Sequence, residues 1–547
     1  MTAEVRLREL LEAGLEALMS EGTLPANGAP AVVVQRTAQP EHGDFATNVA
    51  MTMAKQAGMP PRQLAERLIS AIPAADIIER SEVAGPGFIN FFLSREWLHD
   101  LIHSIGQQRE QYGRAKAAGP HVQIEFVSAN PTGPLHVGSG RNAAYGDALA
   151  RILEAAGCRV EREYYINDAG KQITRFTESV MARYKQALGR EAEVPEDGYH
   201  GEYIVDLGRR LAEENGDKLV DDPGEVTPWA LQEVITAHRA TLARMSITFD
   251  RWFSELVLHE QGKVAEALGR IKEAGHVYEK EGALWFKATA QGAPRDQVLV
   301  RSDEAQTPTY LGVDIAYLID KLGRGYDSVI YVWGADHHGN VAGLMAAARA
   351  LGVENNVEIL LHQMVNLMSE GAAERMSKRS GNVVALDDLL DEVGPDAARF
   401  TFLSRSIDQT IDFDLALLKA QSDENPVYYV QYQHARACSI LKKAGEQGIE
   451  VQKGDLSVLD HPSEIALMKK LAAFPETVTE AAGMRAPHRL VHFAHSLAAG
   501  FSAFHRDCRV LGEDPTVSAA RLELVDATRQ VLANNMAMLG ISSPERM

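Results

Sequence analysis

Apolar and polar residues alternate along Val122-Gln-Ile-Glu-Phe-Val-Ser128 with the period of a strand that buries one face. Asn130-Pro-Thr-Gly-Pro134 then supplies turn formers, a helical pattern runs from about 135 to 156, and Gly157 fits its C-terminal stop. Strand-like segments recur at 160–166, 328–333 and 357–361, separated by helical stretches such as 340–351. Strands alternating with helices predict a parallel α/β sheet of Rossmann type, and the region of about 170–290 reads as a largely helical insertion into it.

On either side the pattern changes. Residues 1–112 mix helix-like segments such as 59–72 with the strand-like Phe88-Ile-Asn-Phe-Phe-Leu93, an α+β unit closed by the turn-rich linker 113–120. Beyond about 413 strand signals fade, and 426–443, 463–482 and 517–539 predict an all-α C-terminal bundle. The expectation is therefore a multidomain α/β chain divided at 1–112, 113–412 and 413–547.

Composition narrows the possibilities. The 547 residues suit three to four domains, and 45% apolar with 24% charged residues is ordinary globular usage. A net charge of −20 excludes a uniformly basic nucleic-acid binder and confines any RNA contact to a local patch. Three scattered cysteines, Cys158, Cys438 and Cys508, make neither a disulfide framework nor a zinc site and fit a reducing compartment. The N-terminal residues read as an amphipathic helix rather than a leader, and no apolar run has membrane-spanning length, so a cytoplasmic protein is expected.

The strand, then Asn130-Pro-Thr-Gly-Pro-Leu-His136-Val-Gly138-Ser139-Gly140-Arg141, then helix arrangement is suited to phosphate. Unpaired N–H groups at a helix start attract an anion, and glycine lets the backbone come close. Taken alone, the segment equally fits a glycine-bearing turn with a satisfied histidine. Far downstream, Arg375-Met376-Ser377-Lys378-Arg379-Ser380-Gly381-Asn382 is a basic run that by itself reads as solvated surface.

Together the two segments resemble the His-x-Gly-His and Lys-Met-Ser-Lys-Ser motifs of class I aminoacyl-tRNA synthetases, the first in the long form of bacterial-type arginyl-tRNA synthetases. Ser139 stands where that family has its second histidine. The resemblance implies that His136, Gly138, Ser139, Met376, Ser377 and Lys378 bind ATP with Mg²⁺. His136 and Lys378 would stabilise the transition state, without zinc or a protein nucleophile. It also implies arginyl-adenylate as intermediate, transfer to the 2′ hydroxyl of tRNA(Arg), a need for tRNA during activation, and a monomer.

Both motifs read ATP, so the amino acid needs separate recognition. A guanidinium calls for carboxylates in forked geometry. Glu125 lies five residues before Asn130, and Tyr310-Leu-Gly-Val-Asp314 places Tyr310 and Asp314 on one helical face. The resemblance implies that Glu125, Asn130, Tyr310 and Asp314 line the arginine pocket; without it, Asp314 reads as a helix cap, Glu125 as an exposed strand acid and Tyr310 as core. Ala335-Asp-His-His-Gly339 invites a metal assignment, but adjacent histidines point apart and no third partner is apparent. In the family this segment edges the substrate site, which implies His338 there.

At the C-terminal side, residues 423–436 resemble the opening of the family's anticodon-binding domain. Tyr429, Tyr432, Gln433 and Arg436 suit stacking on unpaired bases, although tyrosines at helical spacing also suit a bundle core. Residues 43–48, 85–90 and 538–547 resemble the family's added N-terminal domain and its terminus. Two alternatives stand beside this reading: another class I synthetase such as the cysteinyl enzyme, and a degenerate tRNA-binding relative marked by Ser139.

Overall fold

The structure, a computed structural model, describes residues 2–25, 31–37, 39–304, 306–369, 372–373, 384–449, 451, 454–512 and 514–547. Its centre is a five-stranded, wholly parallel sheet in the spatial order Val357–His362, Ser328–Gly334, His121–Glu125, Arg159–Ile166, Arg251–Ser254. The chain starts in the middle at His121–Glu125, steps one way to Arg159–Ile166 and later returns on the other side with Ser328–Gly334. That reversal opens a crevice at the carboxyl ends of His121–Glu125 and Ser328–Gly334, where Glu125 pairs in register with Tyr331.

The Val137–Ala155 helix packs on this sheet so closely that a Cβ on Gly146 would stand 2.2 Å from Phe126 Cγ. Gly157 ends it at φ +96°, a conformation that favours glycine.

The expected single helical insertion is two. Helices Lys171–Ala187, Glu202–Asn215 and Pro223–Arg244 share a core of their own that includes Phe176, Tyr184 and Val226. The chain then returns to the sheet edge as Arg251–Ser254. It leaves again through Lys263–Glu273 into a three-stranded antiparallel sheet of Val277–Lys280, Ala283–Phe286 and Gln297–Val300. Strands of four residues carry too short a pattern to announce themselves in sequence.

A four-stranded antiparallel sheet with helices such as Ala3–Ser20 and Pro61–Ala71 forms the N-terminal part. It docks on the C-terminal helices through Arg36–Glu476 at 2.8 Å and Lys469–Asp44 at 2.7 Å. The expected division at 412/413 falls inside strand Ile411–Asp414, which pairs in parallel with Val365–Ser369. Residues 463–482 form two helices, Pro462–Ala472 and Phe474–Gly483. Pro475 has no N–H for the Leu471 carbonyl, which takes the Tyr112 hydroxyl instead at 3.0 Å. Helix His488–Asp507, which the pattern did not single out, completes the bundle with Pro426–Glu446 and Pro515–Leu539. Among the described residues no helix is long and apolar enough to cross a membrane.

Candidate functional site

Alternation predicts a strand through 128, yet the strand stops at Glu125. Val127 and Ser128 take positive φ, +66° and +42°, a costly conformation for a β-branched residue and one that marks a functional turn. Side chains hold it there. Val127 N–H donates to Asn142 Oδ1 at 2.6 Å, and Ser128 Oγ donates to Glu125 Oε1 at 3.0 Å while accepting Tyr165 N–H at 3.1 Å. The chain is thereby turned across the mouth of the crevice, a cleft of about 650 Å³.

At one end of the cleft His136 caps the Val137–Ala155 helix, its Nδ1 accepting Ser139 N–H at 3.3 Å. That bond leaves the ring proton on Nε2. Desolvation lowers the His136 pKa below the ordinary histidine value, so the ring is neutral near pH 7. Gly138 is required by this cap: a Cβ there would stand 2.9 Å from His136 Cε1. The N–H groups expected to meet phosphate are largely engaged, because Val137 N–H donates to Val384 O at 3.2 Å and Ser139 N–H to the His136 ring. The Gly138 N–H has no such partner among the described residues, and His136, Gly138 and Ser139 all line the cleft. His362 does so too, its pKa pulled down to about 4 by burial.

The other end is acidic. Thr309 caps helix Tyr310–Gly323, so Asp314 is an interior helical residue rather than a cap. It lines the cleft with Tyr310, which at 68% exposure is not a core residue. Burial first, and then Glu125 and Glu255, push the Asp314 carboxyl up to about 7. Glu255, on the turn after Arg251–Ser254, was not legible as a site residue. It accepts the Tyr165 hydroxyl at 2.8 Å, and burial raises its pKa.

Glu125 is not an exposed strand acid but 4% exposed, with Lys321 Nζ 2.5 Å from its Oε2. The Lys321 ammonium sits 3.7 Å from the ring centroid of Tyr331 and 4.2 Å from that of Tyr317. Glu125, Asp314 and Glu255 thus meet at this end of the cleft, where Lys321 is paired with Glu125, an arrangement that attracts a further cation with several donors.

The remaining expected residues separate. Asn130 lines the cleft at its mouth. Of the adjacent histidines, His337 lines it and His338 does not. His338 opens the His338–Ala350 helix, and one residue of helical rotation carries its side chain away. Met376, Ser377 and Lys378 lie outside the described residues. Among the described residues no group of three or more His, Cys, Asp or Glu side chains is placed to hold a metal ion.

The C-terminal candidates lie on helix Pro426–Glu446. Tyr432 stacks on Tyr428 with centroids 6.2 Å apart and planes at 7°, and the Arg436 guanidinium covers Tyr432 at 4.7 Å. Gln433 is buried, 2% exposed, and accepts from Arg436 at 3.1 Å, so it holds the arginine rather than facing a base. Tyr429 packs on His495 and the bundle core.

Comparison with known proteins covers nearly the whole chain. The family "Arginyl tRNA synthetase N terminal domain" matches residues 6–93. "tRNA synthetases class I (R), catalytic domain" matches 101–199 and 221–405, and "DALR anticodon binding domain" matches 430–547. An arginine–tRNA ligase of Heliobacterium modesticaldum is 48% identical over 95% of this chain and 94% of its own. That of Desulforamulus reducens is 46% identical over 99% and 98%. The arginyl-tRNA synthetase structure of Thermus thermophilus superposes with a TM-score of 0.77 at 26% identity, covering 100% of both chains.

Proposed function

We infer that, because this chain belongs to the arginyl-tRNA synthetase family and joins arginine to tRNA at the expense of ATP, the acidic end of the cleft receives the guanidinium and the His136 end receives ATP. The observation that carries this reading is the convergence of Glu125, Asp314 and Glu255 on one side of a cleft whose other side is a capped helix N-terminus. Asp314 and Glu255 accept the guanidinium N–H groups, while Tyr310 and Asn130 close the pocket over the amino acid. Glu125, already held by Lys321 and Ser128, shapes the floor.

The arginine carboxylate then attacks the α-phosphate in line, forming arginyl-adenylate and releasing pyrophosphate. The terminal ribose hydroxyl of the tRNA next takes the arginyl group and AMP leaves. Mg²⁺ arrives on the triphosphate as part of the substrate. The neutral His136 ring offers its Nε2–H, and the Gly138 N–H and the Ser139 hydroxyl add donors, to charge that grows on the phosphates. Lys378 neutralises the departing pyrophosphate. Tyr432 and Arg436, backed by Gln433, offer a stacking face to a splayed anticodon base.

Pyrophosphate exchange in the presence of tRNA tests the pocket when arginine is compared with citrulline, which has the same shape without the charge. Exchange with arginine alone is expected, and equal exchange with both would remove the carboxylates from recognition.

A further inference from the structure

Three carbonyl oxygens in and beside the Asn130 turn are gripped from outside it. The Tyr203 hydroxyl donates to Thr132 O at 2.8 Å, and His238 Nε2 stands 2.7 Å from Gly133 O. The Tyr164 hydroxyl lies 2.9 Å from His238 Nδ1 and 3.1 Å from Ala129 O. Tyr203 and His238 belong to helices Glu202–Asn215 and Pro223–Arg244 of the first insertion, and Tyr164 to the central sheet.

The proton positions follow from the acceptors. A carbonyl oxygen can only accept, so His238 carries its proton on Nε2. The side chain is buried, at 1% exposure, and desolvation lowers its pKa, leaving Nδ1 as an acceptor that shares the single Tyr164 hydroxyl proton with Ala129 O. Trp252 stacks on the Tyr164 ring at 4.3 Å and fixes it from behind. The grip is close: a Cβ on Gly133 would stand 3.2 Å from the Tyr203 hydroxyl oxygen.

We propose that His238, which does not line the cleft, is a positioning residue for arginine binding: its Nε2–H holds the Gly133 carbonyl and so sets where the Asn130 turn stands over the pocket. This rests on the reading of Asn130 as an arginine ligand. The two ring nitrogens have different tasks, and short amides separate them. Glutamine places an N–H where imidazole Nε2 stands and keeps the bond to Gly133. Asparagine reaches only the Nδ1 position, keeping the contact with Tyr164 and losing the turn.

Aminoacylation kinetics and melting temperatures of wild type, His238→Gln, His238→Asn and Asn130→Ala test this. His238→Gln is expected to keep the arginine KM within about threefold of wild type, whereas His238→Asn raises it about tenfold or more at unchanged ATP KM and similar melting temperature. Equal arginine KM in the two His238 variants, or losses that follow melting temperature alone, would overturn the proposal. If Asn130→Ala leaves arginine KM unchanged, the reading of Asn130 fails and the proposal with it. If Asn130→Ala raises it and His238→Asn does not, the proposal alone fails. Should His238→Asn not fold, Tyr164→Phe deletes the hydroxyl that holds the His238 ring from outside the cleft lining: a raised arginine KM at unchanged ATP KM supports the proposal and an unchanged one overturns it.

Discussion

The Glu125 carboxylate and the Lys321 ammonium form a buried ion pair 2.5 Å long beneath the cleft. Lys321 lies two helical turns beyond Asp314 on helix Tyr310–Gly323, so one element brings both a carboxylate to the cleft and the cation that neutralises the carboxylate behind it. Removing the cation would leave Glu125 buried and unpaired beside Asp314 and Glu255. Lys321→Met is therefore expected to destabilise the protein by about 3–5 kcal/mol, seen as a lowered denaturation midpoint. An unchanged midpoint would mean that Glu125 does not depend on the pair.

Asp314 links stability and function in opposite senses. Its carboxyl, raised to about 7, keeps a proton in the folded protein that an ordinary aspartate in the unfolded chain loses near pH 4. Stability of the free protein from this group therefore declines as pH rises from about 4 to 7, and the deficit is complete above that. Asp314→Asn is expected to melt higher than wild type near pH 8 and at the same temperature near pH 4. The same variant is expected to lose about 2–5 kcal/mol in arginine recognition, read as a sharply raised arginine KM. A variant less stable at pH 8, with unchanged arginine KM, would contradict both halves.

At the ATP end, His136→Ala removes the helix cap and a donor together. About 1 kcal/mol of stability and roughly 10²–10³ in kcat are expected to go. Gly138→Ala keeps the histidine but drives a methyl into its ring, and is expected to give a smaller fall in kcat of the same kind. Ser139→His is expected to change the rate by less than about tenfold, because the Ser139 backbone N–H, rather than its side chain, supports His136. Full activity of His136→Ala would remove the cap from the mechanism.

The parts of this site that sequence made legible are those written locally. The Val137–Ala155 helix with its Gly157 stop, and Tyr310 and Asp314 one turn apart, follow from spacing that a few residues carry. The parts that stayed hidden depend on the fold. Lys321 meets Glu125 across 196 residues, and His238 meets Gly133 across 105. Glu255 joins the acidic end only because Arg251–Ser254 adds to the sheet edge, and that strand is too short to show a period. His338 was expected in place of His337 because spacing alone does not say which of two neighbours a helix start turns inward.

On the helical bundle, Tyr432→Ala is expected to raise the KM for tRNA by about 1–3 kcal/mol equivalent, roughly five- to a hundredfold, and to leave the arginine KM nearly unchanged. Gln433→Ala, which removes one of the two side-chain bonds that hold the Arg436 guanidinium, is expected to give a smaller shift in the same direction. Unaltered tRNA KM in Tyr432→Ala would mean that this ladder serves the bundle rather than the RNA.

The central claim is that Asp314, half protonated near pH 7 in the free protein, ionises to receive the guanidinium. Calorimetric titration of arginine at pH 7, repeated in two buffers of different ionisation enthalpy, reads the proton directly. Wild type is expected to release about half a proton per arginine bound, and to bind more tightly as pH rises through 7, while Asp314→Asn releases none and binds weakly. Buffer-independent heats in wild type, with arginine affinity flat from about pH 6 to 8, would contradict the account.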